Sequence, residues 1–187
     1  MFIVSRQTPY HRNHMTTLLA FSGSLRADSF NTRILKALPA LAPEGTNIVL
    51  FDITELPMYN QDLDADTVPP IVAALRAAIA EADGVVIAGP EYSGSYSGAT
   101  KNLIDWASRP FMKGPIIGKR SMVIGATPGP GGGARVVEAT SALLTALGGT
   151  VVGRANAAAI HEKIAPDAHV ITDEGFAQQL RDGLAAF

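Results

Sequence analysis

The chain alternates short apolar runs with segments whose apolar residues recur every three or four positions. The run TTLLAFS (16–22) predicts a strand, and about 29–41 predicts a helix with Ile34, Leu35 and Leu38 on one face. TNIVLFD (46–52) predicts a second strand; a long turn region then leads to a helix at about 70–82. GVVIAGP (84–90) is almost wholly apolar, as expected of a strand buried on both faces. ATKNLIDWAS predicts a helix carrying Leu103, Ile104 and Trp106. RSMVIGAT (120–127) predicts a fourth strand, about 134–147 a helix, GTVVG (149–153) a short fifth strand, and about 173–186 a last helix.

Strands alternating with helices imply an α/β fold with a five-stranded parallel sheet and helices on both faces. No linker, repeat or charge block divides residues 15–187, which are expected to form one domain. The preceding fourteen residues, MFIVSRQTPYHRNH, lack periodicity and the apolar core of a signal peptide. The domain is expected to begin near Met15, with residues 1–14 a loose tail or an upstream start. Ligands of open parallel sheets bind beyond the carboxyl ends of the strands. The three loops of unusual composition follow strands one, three and four, at 22–29, 90–97 and 127–133, and are expected to meet at one edge.

Composition narrows the chemistry. A net charge of −2 gives no electrostatic case for nucleic acid or an anionic membrane. The apolar runs are too short and interrupted to span a bilayer. There is no cysteine, which excludes disulfides, thiolate catalysis and cysteine-based metal sites and is compatible with a cytoplasmic location. Asp62, Asp64 and Asp66 are regularly spaced but lack the rest of a calcium-binding loop, and read as solvated turn carboxylates. No metal site is expected.

The first loop, SGSLRADSFN (22–31), gathers donors where a strand gives way to a helix. Unpaired N–H groups at a helix start favour an anion, Ser24 and Ser29 add hydroxyls, and Arg26 adds a planar charged fork suited to phosphate. The plainer alternative is a helix capped by Ser29 with Arg26 solvated. In the second loop, GPEYSGSYSGATKN (89–102), glycines at 94 and 98 allow close backbone approach to a ligand. The third loop contains GPGGGA (129–134), which fits a dinucleotide fingerprint superficially. Pro130 removes an N–H, no acidic residue follows at the required distance, and the loop follows the wrong strand. GPIIGK (114–119) is too short between its glycines for a P-loop. The four histidines lie in the tail (His11, His14) or late in the chain (His161, His169), so no acid–base centre stands out and a cofactor that carries the chemistry fits that pattern.

GSLRADSFN, LPMYNQD (56–62), GPEYSGSYSGATKNLIDWASRP (89–110) and GATPGPGGGAR (125–135) together resemble the NADPH-dependent FMN reductase family, over about residues 17–152. The resemblance implies a flavodoxin-like sheet of order 2-1-3-4-5 and a noncovalent FMN. It also implies NAD(P)H as co-substrate and a homodimer or homotetramer with the flavin near the subunit interface. By the family pattern, Ser24, Arg26, Ser29, Phe30 and Asn31 lie around the FMN phosphate. Pro90, Glu91, Tyr92, Ser93 and Gly94 lie along the flavin ring, and Thr127, Pro128 and Gly129 close on it from the third loop. The implied activity is hydride transfer from NAD(P)H through FMN to a quinone, flavin, azo compound or metal oxyanion, by a ping-pong mechanism. The chain departs from the pattern at Ser93, where the family often has Asn, and at Ser97, where it often has Pro. A flavodoxin-type electron carrier and a non-catalytic flavin-binding module are the alternatives; a charge of −2 is unlike the strongly acidic carriers. Trp106 and Arg109 are candidates for core packing or, in the sharper reading, for a subunit surface.

Overall fold

A computed structural model describes residues 15–65, 67–166 and 168–187. The expected tail, with His11 and His14, and Asp66 therefore lie outside the described residues. Five strands, β1 (Thr16–Ser22), β2 (Thr46–Phe51), β3 (Gly84–Gly89), β4 (Arg120–Ala126) and β5 (Thr150–Ala157), form one parallel sheet in the order β2-β1-β3-β4-β5. The expected fold class and strand order are both found.

Side-chain alternation along the strands sorts the core into two layers. Leu18, Ala20, Val86, Ala88, Met122 and Ile124 face one side, where Ile34, Leu35 and Leu38 meet Phe176, Leu180 and Leu184. These come from helices α1 (Phe30–Ala37) and α5 (Glu174–Ala185) and the turn after α1. Leu19, Phe21, Val85, Ile87 and Val123 face the other side, against α2 (Pro70–Glu81), α3 (Gly98–Ala107) and α4 (Ala134–Ala146). β3, central and covered on both faces, is buried at every position. Trp106 belongs to this second layer, fully buried, with its indole N–H donating to Pro57 O at 2.7 Å. The packing reading of Trp106 holds, and the subunit-surface reading does not.

Two boundaries depart from expectation for local reasons. α1 ends at Ala37, and Leu38–Ala40 winds into a 3-10 turn, because Pro39 has no N–H with which to continue the helix. β5 continues to Ala157, four residues past the expected end. Its outer half alternates exposed Arg154 and Asn156 with buried Ala155 and Ala157, so an edge strand with small inward residues carries little apolar signal. Asp64, in the turn before α2, pairs with Arg76 at 2.8 and 3.0 Å. Among the described residues, no helix is long and apolar enough to cross a membrane.

Candidate functional site

β1 is flanked by β2 on one side and β3 on the other, which makes its carboxyl end the switch point of the sheet. The loops leaving β1, β3 and β4 converge there. Gly23 N–H donates to Ala88 O at 2.7 Å, and Ser97 Oγ–H donates to Gly23 O at 2.5 Å. Asn31 Nδ2 reaches Ala126 O at 3.4 Å. A side chain at position 23 would strike Thr100 Oγ1, so glycine is what lets the first loop lie against the start of α3.

Between the three loops lies a cleft of about 90 Å3. Ser24, Arg26, Ser29, Phe30 and Asn31 line it from the first loop, Pro90, Glu91 and Tyr92 from the second, and Thr127 and Pro128 from the third. Ala126, which the sequence reading did not single out, completes the wall. Ser93, Gly94 and Gly129, expected with the rest, stand outside it. Ser93 and Gly94 form the tip of a two-residue hairpin: Tyr92 and Ser95 exchange backbone hydrogen bonds of 3.0 Å, and φ is +51° at Ser93 and +74° at Gly94. Gly129 N–H donates to Thr127 Oγ1 at 3.2 Å, which folds the third loop back on itself.

The donors sit at the start of α1. Ser29 caps the helix, its Oγ accepting from Thr32 N–H at 3.3 Å. That bond uses a lone pair and leaves the hydroxyl proton free to donate. The N–H groups of Phe30 and Asn31, in the first turn, have no acceptor within the helix. Arg26 is exposed, and its Nη2 donates to Asp28 O at 3.0 Å. Capping and anion binding are therefore compatible roles for the same loop.

The acceptors are more telling. Asn31 Oδ1 and Glu91 Oε2 are buried without a hydrogen-bond partner among the described residues. Asn31 spends its amide nitrogen on Ala126 O, which turns its oxygen the other way. Glu91 Oε1 is held by Arg135 Nε at 3.0 Å, and Oε2 is left over. Arg135, at the first turn of α4, was not among the expected site residues, although it ends the GATPGPGGGAR motif. A buried polar atom left unpaired costs about 1–3 kcal/mol, so two in one cleft call for a ligand with hydrogen-bond donors. The cleft thus offers N–H, O–H and guanidinium groups to an anion and carboxylate and amide oxygens to hydroxyl or N–H groups. A phosphate on a polyhydroxyl chain, as in FMN, has both, and the residues present fit that group.

The family model for NADPH-dependent FMN reductase matches residues 16–163. The chain belongs to that family. It is 44% identical to an NAD(P)H-dependent FMN reductase of Pseudomonas aeruginosa over 118 residues, which cover 63% of each chain. It is 35% identical to a quinone reductase of Escherichia coli K12 over 169 residues, 88% of this chain and 89% of that one. In structure it is similar to FerB of Paracoccus denitrificans, a flavoenzyme NAD(P)H:(acceptor) oxidoreductase, with a TM-score of 0.78 and 36% identity over 91% of this chain and 94% of the other.

Proposed function

We propose that the chain is an FMN-dependent oxidoreductase that takes hydride equivalents from NAD(P)H and delivers them to a quinone-type acceptor. The carrying observation is the pairing, in one cleft, of an unsatisfied helix start with two buried and unpartnered oxygens. In this reading the Phe30 and Asn31 N–H groups, the Ser24 and Ser29 hydroxyls and Arg26 hold the phosphate. Asn31 Oδ1 and Glu91 Oε2 accept from hydroxyl or N–H groups of the same ligand. Arg26 exchanges its bond to Asp28 O for phosphate oxygens. Pro90, Tyr92, Thr127 and Pro128 flank the ring end, and Tyr92 is half exposed, which leaves one side of the cleft mouth open to a second reactant.

Bound FMN supplies the redox chemistry, accepting hydride and passing electrons on. The protein contributes orientation and fixed donors, with no histidine in the cleft wall among the described residues. One mouth serving donor and acceptor in turn gives ping-pong kinetics. Met58, Phe111 and Met112 are large apolar side chains left exposed, and they support a homo-oligomer. Dependence on NAD(P)H supports a cytoplasmic location.

The test is spectroscopic. The protein should copurify with or take up FMN, bleach on addition of NADPH and recover with a quinone. Arg26→Ala should weaken FMN retention by about tenfold or more, the loss of a charge-assisted bond worth roughly 1.5–3 kcal/mol. A colourless protein that takes up no FMN would overturn the reading; a yellow one indifferent to NADPH and NADH would reduce it to a carrier.

A further inference from the structure

A second cavity, of about 300 Å3, opens on the other face of the first loop. Ser24 and Arg26 line both it and the cleft, so this stretch of loop is a partition between two adjoining spaces. The opposite wall is the end of β2 and the residues after it, and Thr32 and Lys36 of α1 complete the enclosure. Three features of the lining limit what it can hold. Leu25 and Leu50 are 54% and 39% exposed, apolar surface left bare inside a polar setting. Lys36 forms no ion pair among the described residues. Asp52 Oδ1 accepts both the N–H and the hydroxyl of Thr54, at 2.9 and 2.6 Å, while its Oδ2 forms no hydrogen bond among the described residues. The Thr54 hydroxyl, with its backbone N–H, holds this carboxyl below the usual value, so it is an acceptor at neutral pH.

An inorganic anion alone has no use for the leucines, and an acyl chain has none for the carboxylate. A planar base on a phosphorylated sugar uses all three. An acidic group at the end of the second strand is also where parallel nucleotide-binding sheets meet a ribose hydroxyl.

We propose that this cavity takes the adenosine–phosphate half of NAD(P)H, with the base against Leu25 and Leu50, a ribose hydroxyl on Asp52 Oδ2 and phosphate charge at Lys36. The proposal rests on the reading that NAD(P)H reacts at the adjoining cleft. The dinucleotide then straddles the Ser24–Arg26 partition, and the Asp52 carboxylate favours a bare 2′-hydroxyl over a 2′-phosphate. NADH is accordingly the preferred donor.

The experiment uses FMN-loaded protein, 5′-ADP as probe, and the variants Lys36→Gln and Asp52→Asn, both at exposed positions. Calorimetric titration should show 5′-ADP binding to the parent protein and weakened about three- to tenfold in each variant, a charge-assisted bond discounted for solvent screening. 5′-ADP should compete with NADH. Lys36→Gln should raise the KM for both donors at unchanged kcat, and Asp52→Asn should move the kcat/KM ratio toward NADPH, with flavin content unchanged in both. Parent protein that oxidises NADH but shows no competition by 5′-ADP, or variants that bind it as the parent does, would overturn this site and leave the proposed function standing. Parent protein that binds FMN yet oxidises neither donor overturns the proposed function instead, and 5′-ADP binding lost in both variants would still locate the nucleotide site.

Discussion

Ser93 carries a backbone conformation that its side chain does not favour, and replacing it with asparagine should raise stability. The hairpin Tyr92–Ser95 has φ of +51° and +74° at its two central residues, the geometry of a type I′ turn. The left-handed region costs an ordinary L-residue about 1–2 kcal/mol, and Asn is several-fold enriched there. An enrichment of three- to fivefold corresponds, through RT ln, to about 0.6–1 kcal/mol. Ser93 is exposed and its hydroxyl makes no hydrogen bond among the described residues, so replacement breaks no hydrogen bond. Ser93→Asn should therefore stabilise the protein by about 0.6–1 kcal/mol, or roughly 1–4 °C in Tm for a domain of this size. Ser93→Val, a β-branched residue in the same region, should lower it by about 1 kcal/mol or more. Thermal unfolding of flavin-free and FMN-saturated protein measures both. A Tm for Ser93→Asn equal to or below that of the parent, or a Ser93→Val no worse than the parent, would show that backbone conformation does not set this position.

Two further outcomes follow from the ties between loops. Ser97→Ala removes the cap on Thr100 N–H and leaves Gly23 O without its buried donor; denaturant unfolding should show a loss of about 2–4 kcal/mol, the sum of a lost cap and an orphaned carbonyl. Arg135→Ala leaves the Glu91 carboxylate, 12% exposed, without a partner; with Arg135 itself well exposed, the loss should be about 1–2 kcal/mol. Adding Glu91→Gln in that background should recover part of it.

The fold was legible because its signals are strong and redundant. GVVIAG can only be a strand buried on both faces, and the helix faces at Ile34, Leu35 and Leu38 or Leu103 and Ile104 are where the two core layers form. What was missed lies where the signal is conditional on tertiary partners. The outer half of β5 pairs with β4 although Arg154 and Asn156 point outward, and the pairing is decided by backbone hydrogen bonds that no side-chain pattern announces. Pro39, by contrast, marks the end of α1 in the sequence itself. Asp52 and Lys36 carry no signal in the sequence, since lone charges after a strand and on a helix look alike whether solvated or facing a cavity.

The two departures from the family pattern each have a local backbone explanation. A change from Asn to Ser beside the Pro-Glu-Tyr motif reads as a change of ligand contact. The structure puts Ser93 at a hairpin tip outside the cleft wall, where Asn suits the left-handed backbone. At Ser97, φ is −70°, which a proline ring also adopts; the serine supplies instead a hydroxyl that caps α3 and grips Gly23 O. Both positions act on the backbone that carries the site. Asn31 and Glu91 are the residues whose polar atoms the protein itself leaves unmatched among the described residues, and in the proposed reading they face the ligand. A buried acceptor kept without a partner lowers the stability of the empty protein by about 1–3 kcal/mol, and a donor-bearing ligand removes that cost on binding. In the proposed reading, part of the affinity for FMN is therefore stored in the empty fold as unsatisfied hydrogen-bonding capacity.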